Sequence, residues 1–231
     1  MGRTIIIGDI HGCFDELQDL LLLIGFSKRD RVVAVGDLIV KGPKSREVLE
    51  LFMSDGRFAT VIGNHDRVIR QHWRGEPVRL TRAQKLTAAE LEPNRWQYYC
   101  FLRSLPYTIN LGSHLVVHAG VRPGVSLRHQ MVSDMTGIRT MGANPASRRG
   151  VPWYKIYRGR RVVLFGHWPA QEPRLAARAI GLDTGCVYGG ALTAYIIESN
   201  QFVSAPARRA YDPPKRKLRS FRTSASDSSK S

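Results

Sequence analysis

Apolar residues along this chain come in short runs, each stopped by glycine or a polar cluster. TIII (4–7), RVVAV (31–35), FATVI (58–62), HLVVHAG (114–120), RRVVLFG (160–166) and ALTAYIIE (191–198) read as strands. The intervals between the early runs have a helical pattern instead. CFDELQDLLLLIGF (13–26) keeps its apolar residues on one side, and PKSREVLELFM (43–53) places Pro43 in a first turn, where a helix tolerates it. Strand–helix–strand alternation predicts an α/β fold, a parallel sheet covered by helices. The later runs lie closer together, which favours antiparallel pairing, and 75–105 reads as mostly helical, with many Arg, Trp and Tyr residues. LQDLLLLIGF (17–26) is too short to span a membrane and carries Asp19, so it reads as a buried helix.

With 231 residues, 43% of them hydrophobic, the chain suits one domain with a sizeable core, placed here at 1–203. From 204 the composition turns to Pro, Ser and dense basic residues with little to bury, so 204–231 reads as a disordered tail. MGRTIIIGDIHG lacks the long apolar stretch of a signal peptide, and a cytoplasmic location without membrane association is expected. Three widely spaced cysteines without a CxxC argue against a disulfide framework or a structural zinc site, and Cys13 is read as a small buried side chain. A formal net charge of +16 favours polyanionic partners such as nucleic acid or polyphosphate, with the basic tail as one place to bind them; a generally arginine-rich solvated surface is the plainer account.

Residues with metal-binding chemistry recur at one kind of place. Asp9 and His11 stand two apart just past the first run, in TIIIGDIHG. Asp37 follows the second, in VVAVGDLIVKG, and Asn64, His65 and Asp66 follow the third, in ATVIGNHD. His118 ends the strand of LVVHAG, and His167 that of VVLFGH. In open α/β sheets the carboxyl ends of strands converge on one crevice where ligands bind, so these separate segments can aim their side chains at one point. Glycine precedes Asp9, Asp37, Asn64 and His167 and follows His118, permitting tight turns and close backbone approach. Of seven histidines, His11, His65, His118 and His167 sit in these turns, whereas His72, His114 and His129 do not. Asp, Asn and His make a mixed oxygen and nitrogen ligand set in which one carboxylate can bridge two ions. A pair of ions about 3.5–4 Å apart is the usual device for phosphate-ester hydrolysis: it holds the phosphoryl oxygens, makes hydroxide from water near neutral pH and neutralises developing charge.

In this order GDIHG, GDLIVKGP, GNHD, VVHAG and FGHW resemble the phosphoprotein-phosphatase branch of the calcineurin-like metallophosphoesterases. FGHWPA and LDTGCVYGGALTAY (182–195) resemble most its bacterial symmetrical bis(5'-nucleosyl)-tetraphosphatases and their relatives, over about 3–198. The resemblance implies a β-sandwich flanked by helices, with a dinuclear metal site at the C-terminal ends of strands. It implies two divalent ions, manganese foremost; three histidines with carboxylates also suit Fe, Co, Ni or Zn. Position by position, Asp9 and His11 would bind the first ion, Asp37 would bridge, and Asn64, His118 and His167 would bind the second. His65 would be the acid that protonates the leaving oxygen. Asp183, in LDTG, would orient a ligand histidine from behind, the alternative being a plain turn residue before Gly185; Asp66 is grouped with it as a supporting residue.

The chain departs from the protein-phosphatase pattern GDxVDRG at two places. Val40 stands where that pattern has a second Asp that pairs with the catalytic histidine, so general-acid help from His65 should be weaker. An alkoxide needs that help, whereas a phosphate leaving from an anhydride, with a conjugate acid near pKa ~6, needs little. The site is therefore expected to favour phosphoanhydrides: dinucleoside tetraphosphates, other nucleotide polyphosphates or polyphosphate. Lys41 replaces a phosphate-binding Arg, a mobile point charge for a planar fork. Arg122, Arg148 and Arg149 are candidates for distal phosphates, with surface charge as the alternative. Trp153, Tyr154, Trp168 and Tyr188 can stack on a base or simply pack. Competing functions are a serine/threonine-type protein phosphatase with the same machinery, and a nucleic-acid or polyphosphate-binding protein with a relic site.

Overall fold

The computed structural model describes residues 2–213, and alternation along its strands sets the architecture. In β1 (Thr4–Ile7), Ile5 and Ile7 join one buried cluster and Ile6 another. The same holds in β2 (Arg31–Ala34), where Val32 and Ala34 face the way of Ile5 while Val33 faces the way of Ile6. A strand buried on both faces must divide its side chains between two cores. Here one core lies under helices and the other lies between two sheets.

Among the described residues the longer strands form two five-stranded sheets. The first runs β12–β11–β1–β2–β3, with β3 at Phe58–Thr60, β11 at Ala191–Ile196 and β12 at Gln201–Pro206. Its strands β1, β2 and β3 are parallel, and β11 and β12 add antiparallel at the far edge. The second runs β4–β5–β8–β10–β9, from Thr108–Leu111, His114–Val117, Val162–Phe165, Ala179–Gly181 and Arg174–Ala176 respectively. There β5, β8 and β10 are parallel, with antiparallel strands on both edges. A short ribbon pairs β6 (Thr140–Met141) with β7 (Val151–Pro152).

The sheets face each other through Ile6, Val33, Val35 and Tyr195 on one side and Val116, Leu164 and Leu182 on the other. The outer face of the first sheet is covered by α1 (Phe14–Ile24), α2 (Ser45–Ser54), α3 (Asn64–Trp73), α4 (Arg82–Leu91) and α5 (Arg95–Ser104). The outer face of the second packs on α6 (Val132–Gly137) and α7 (Trp153–Ile156), where Trp153 is fully buried and its Nε1 donates to the Ala119 carbonyl at 3.1 Å. Helix, sheet, sheet, helix is the sandwich that the resemblance implies. Each buried Ile, Leu or Val contributes roughly 1.5–3 kcal/mol, which holds the layers and fixes strand register.

Three expectations shift. Of the later runs expected to pair antiparallel, β11 does so with β1, but β5 and β8 pair parallel. The helix read as buried is a surface helix: Leu17, Leu20 and Ile24 are buried, but Leu22 and Leu23 are 81% and 60% exposed. Gly25 stops it in the left-handed conformation at φ 61, with its N–H on the last turn. The expected boundary at 203/204 falls inside β12, and the chain stays docked beyond it. The Arg208 backbone N–H and the Tyr211 hydroxyl both donate to Oε1 of buried Glu16, at 3.0 and 2.8 Å. Small and polar residues hide the strand in QFVSAP, because its order comes from pairing with β11 rather than from apolar periodicity. The rest of the expected tail, 214–231, lies outside the described residues.

Candidate metal centre

Each candidate ligand leaves the carboxyl end of a strand. Asp9 and His11 follow β1, Asp37 follows β2, Asn64 opens α3 after β3, His118 follows β5 and His167 follows β8. The two sheets thus present their C-terminal edges to one point. Asp37 Oδ2 lies 3.6 Å from His11 Nε2 and 3.5 Å from His118 Nε2, and its Oδ1 accepts the His65 N–H at 2.8 Å. Asn64 Oδ1 sits 2.9 Å from His118 Nε2 and 2.7 Å from His167 Nδ1. The Asp9 carboxylate accepts the His167 N–H at 3.0 and 3.2 Å. Two glycines make this convergence possible. A side chain at Gly63 would strike the Asp37 backbone and carboxylate, and one at Gly166 would strike the Asp9 carboxylate. His11, Asp37 and His167 take left-handed φ of 51°, 50° and 67°, a conformation that costs non-glycine residues and clusters at functional sites.

The histidine hydrogen bonds define which nitrogen carries the proton. His118 Nδ1 faces the Val35 carbonyl at 2.9 Å and His11 Nδ1 faces the Ile39 carbonyl at 3.2 Å. A carbonyl only accepts, so each Nδ1 is the N–H and each Nε2 is left with a bare lone pair. Those lone pairs point toward Asp37 oxygen, and that of His118 also toward Asn64 Oδ1. Lone pairs meeting lone pairs, in a site where His167 Nε2 is buried without a partner, form an arrangement that divalent cations satisfy. Donation of the remote ring N–H to a backbone carbonyl is how metal-ligating histidines are commonly oriented. Asp37 with His11 and His65, and Asp37 with Asp9 and His118, each bring their ligating atoms within 4.8 Å of one another.

Electrostatics say the same. Burial, then the charges of Asp183 and Asp37, lift Asp9 well above the usual carboxylate range. Burial pushes Asp37 up to about 7 against the opposing pull of Lys41. Burial also drives His118 down to about 4, and His11, His65 and His167 well below the ordinary imidazole value. The donors are unprotonated imidazoles beside carboxylates crowded by one another, and bound cations relieve both penalties.

The other sequence-predicted residues divide. Lys41, at φ 78°, reaches in: its Nζ lies 3.3 Å from His11 Nε2 and donates to the Tyr188 hydroxyl at 2.8 Å. Burial works against its charge, but Tyr188 and Asp37 outweigh it and raise its pKa. Asp66 supports the centre without touching a histidine ring. Its carboxylate gathers the N–H groups of Gly63, Leu38 and Ile39 at 3.0–3.3 Å, tying the Asp37 turn to the start of α3. Asp183 is buried beside the cluster, and its Oδ1 accepts the Gly185 N–H at 3.1 Å, the turn role. The carbonyls of Val35 and Ile39 do the orienting expected of it. Arg122 does not extend to the cluster: its guanidinium forms a two-pronged ion pair with Asp134 at 2.8 and 3.0 Å. Arg148 and Arg149 are exposed. Trp153 and Tyr154 are core residues and cannot stack on a base; Trp168 packs partly against the same core. Val40 is fully buried in the helix-side core at φ 79°.

Two residues near the centre carried no sequence signal. Arg139, mostly buried, acts electrostatically on Asp37 and on His65, His118 and His167. Gln84, in α4, places Nε2 3.3 Å from His65 Nδ1. Neither lies in a strand-end turn, where the pattern directs attention.

The sandwich and the strand-end ligand cluster define a metal-dependent phosphohydrolase, and the chain belongs to the calcineurin-like phosphoesterase family, whose model matches residues 2–203. It is 32% identical to the bis(5'-nucleosyl)-tetraphosphatase PrpE [asymmetrical] of Bacillus subtilis (strain 168), over 90% of this chain and 96% of the relative. It is 30% identical to the protein of that name from Bacillus velezensis, over 90% and 94%. A crystal structure provisionally named as a diadenosine tetraphosphatase superposes with TM-score 0.75 at 32% identity, covering 89% of this chain and 94% of that one. The relatives thus share the tetraphosphatase name that the motifs suggested, while theirs specifies the asymmetrical enzyme.

Proposed function

We propose that the protein hydrolyses phosphoanhydrides, with dinucleoside tetraphosphates as the substrate class and asymmetrical cleavage as the outcome. The observation that carries the reading is the convergence of His11 Nε2 and His118 Nε2 on Asp37 Oδ2 at 3.6 and 3.5 Å, and of His118 Nε2 and His167 Nδ1 on Asn64 Oδ1 at 2.9 and 2.7 Å. Asp9, His11 and Asp37 would hold one divalent ion, and Asp37, Asn64, His118 and His167 a second; the mixed donor set suits Mn²⁺. When bound, the ions supply Lewis acidity toward the phosphoryl oxygens and a nucleophile from water at neutral pH.

The protein's own groups do the rest. Lys41, braced by Tyr188, grips the non-bridging oxygens of a polyphosphate, which a mobile ammonium can follow from one phosphate to the next. Arg139, partly buried, adds positive charge that acts on Asp37 and on the histidines. His65, held by its backbone N–H on Asp37, assists the departing oxygen. Val40 in the core leaves His65 without the carboxylate of the protein phosphatases, which suits a leaving phosphate and disfavours a leaving alkoxide. The relatives' names agree with this substrate class.

The test is phosphate and nucleotide release by protein stripped of metal and refilled with Mn²⁺, on a dinucleoside tetraphosphate, long-chain polyphosphate and a phosphoserine peptide. A nucleoside triphosphate plus a monophosphate is the expected product pair; two diphosphates would overturn the asymmetrical assignment. Asp37→Asn keeps an oxygen for the His65 N–H and should lose at least about 100-fold. Preference for the phosphopeptide would overturn the anhydride reading.

A further inference from the structure

We propose that Gln84 fixes the tautomer of His65 opposite to that of the ligand histidines, and so makes His65 a neutral hydrogen-bond donor to the leaving oxygen; the inference rests on the phosphoanhydrolase reading above. Gln84 is the third residue of α4, 4% exposed, and its amide orientation is not ambiguous. Thr81 precedes the helix, and its backbone N–H meets Gln84 Oε1 at 2.9 Å while its hydroxyl meets the same oxygen at 3.1 Å. A backbone N–H can only donate, so the atom facing it is the amide oxygen. The amide nitrogen therefore faces His65 Nδ1, at 3.3 Å, and donates to it.

An Nδ1 that accepts carries no proton, and in a neutral imidazole the proton is then on Nε2. His11 and His118 are the reverse: the Ile39 and Val35 carbonyls put their protons on Nδ1 and leave Nε2 bare. Three imidazoles around one carboxylate are thus sorted by their outer partners. Two offer lone pairs to cations, and one offers an N–H. The His65 backbone N–H, not its ring, donates to Asp37 Oδ1, and one of its ring nitrogens lies within 4.8 Å of ligating atoms of Asp37 and His11. With Nδ1 taken by Gln84, the ring's free nitrogen is Nε2, and its N–H is the group available to a departing oxygen. The protein phosphatases set a carboxylate behind this histidine, which favours an imidazolium. Here Val40 is buried in the core and an amide stands behind the ring instead. A neutral N–H stabilises a leaving phosphate by hydrogen bonding and has no spare proton for an alkoxide. Gln84 is a positioning residue that acts through His65 and, in doing so, restricts the leaving group.

The experiment compares wild type, Gln84→Met and Gln84→Glu on aryl phosphates of increasing leaving-group pKa, with a dinucleoside tetraphosphate run in the same preparations. Gln84→Met removes the donor, and the dependence on leaving-group pKa should steepen, the poorest leaving group losing about tenfold more than the best. Gln84→Glu keeps the cap on Thr81, guarding against loss of the helix, and turns the partner into an acceptor. Its dependence should flatten, with esters gaining relative to the anhydride. Nitrogen-resolved NMR of the ion-free wild type should show the proton of His65 on Nε2 and that of His118 on Nδ1. Parallel loss across the whole series, or a His65 proton on Nδ1 in the wild type, overturns the proposal while intact wild-type anhydride turnover leaves the proposed function standing. Absence of that turnover would overturn the function and this inference with it.

Discussion

Lys41→Met separates substrate binding from metal binding, because the two should move in opposite directions. Methionine keeps the aliphatic stem and the left-handed backbone at φ 78° is equally strained for both side chains, so the main change is the lost ammonium. That ammonium is more than half-buried, anchored at 2.8 Å on Tyr188, and aimed at the ligand cluster. If it grips a phosphate oxygen, its loss removes a charge-assisted hydrogen bond worth about 1.5–3 kcal/mol. At 1.36 kcal/mol per decade that is about 10- to 150-fold in kcat/KM. The same ammonium lies 3.3 Å from His11 Nε2, the lone pair a cation needs, and after burial its charge is the largest influence holding His11 basicity down. Removing a competitor for that lone pair, worth about 0.5–1.5 kcal/mol, should tighten divalent-ion binding about 2- to 12-fold. Calorimetric titration of the stripped protein with Mn²⁺ reads the second effect, and steady-state kinetics at saturating Mn²⁺ read the first. Unchanged kcat/KM at saturating ion would refute the phosphate-gripping role. Weaker ion binding would refute the geometry, by showing that Lys41 holds the ligand cage together instead of competing for it.

Two further perturbations address the fold. Tyr211→Phe deletes one of the two donors to buried Glu16 Oε1 and should cost about 1.5–3 kcal/mol, or roughly 3–12 °C in melting temperature for a domain of this size; equal melting of Tyr211→Phe and wild type would show that the segment past β12 is not docked. Asp30 binds the first strand to the turn before β2 by accepting from Arg3 at its N–H, Nε and Nη2 and from Ser27, and the Arg3 guanidinium holds its carboxyl well below the usual range. A depressed carboxyl stabilises the fold above its unfolded value of about 3.9 and loses that contribution as pH falls through its folded value. Asp30→Asn should therefore be less stable than wild type by about 1–3 kcal/mol at neutral pH, with the gap closing below about pH 4 in urea titrations. A gap independent of pH would assign the effect to shape and not charge.

What the sequence disclosed is what side-chain identity can mark. Asp9, Asp37, Asn64, His118 and His167 were legible because each is a chemically distinctive residue placed just past an apolar run, and strand ends converge whatever the connections. The parallel β1–β2–β3 core was legible because both faces of those strands are apolar. Small or edge strands such as β9, β10 and β12 were not, since neighbours impose their conformation. The supports behind the ligands were hidden for a different reason. Val35 and Ile39 act through carbonyl oxygens, which every residue has, so no residue type betrays them. Arg122 illustrates the converse: a cation beside the HAG turn looked available for phosphate, yet Asp134, twelve residues on, holds it by a pairing the spacing did not advertise.

Gln84 shows why the largest gap in legibility falls on the feature that narrows the chemistry most. Its residue type is unremarkable in a helix, and as the third residue after Thr81 it already has a local explanation as half of a capping box. Only the packing of α4 against α3, where His65 sits in the first turn, turns the amide's second end into a partner for the imidazole. The candidate metal ligands suit phosphoryl chemistry and are written at strand ends. The choice between an anhydride and an ester depends on one proton's place on one ring. That place is set by an amide whose oxygen is fixed by a helix cap, so the determinant of leaving group is carried by a local folding motif and read out across a helix–helix contact.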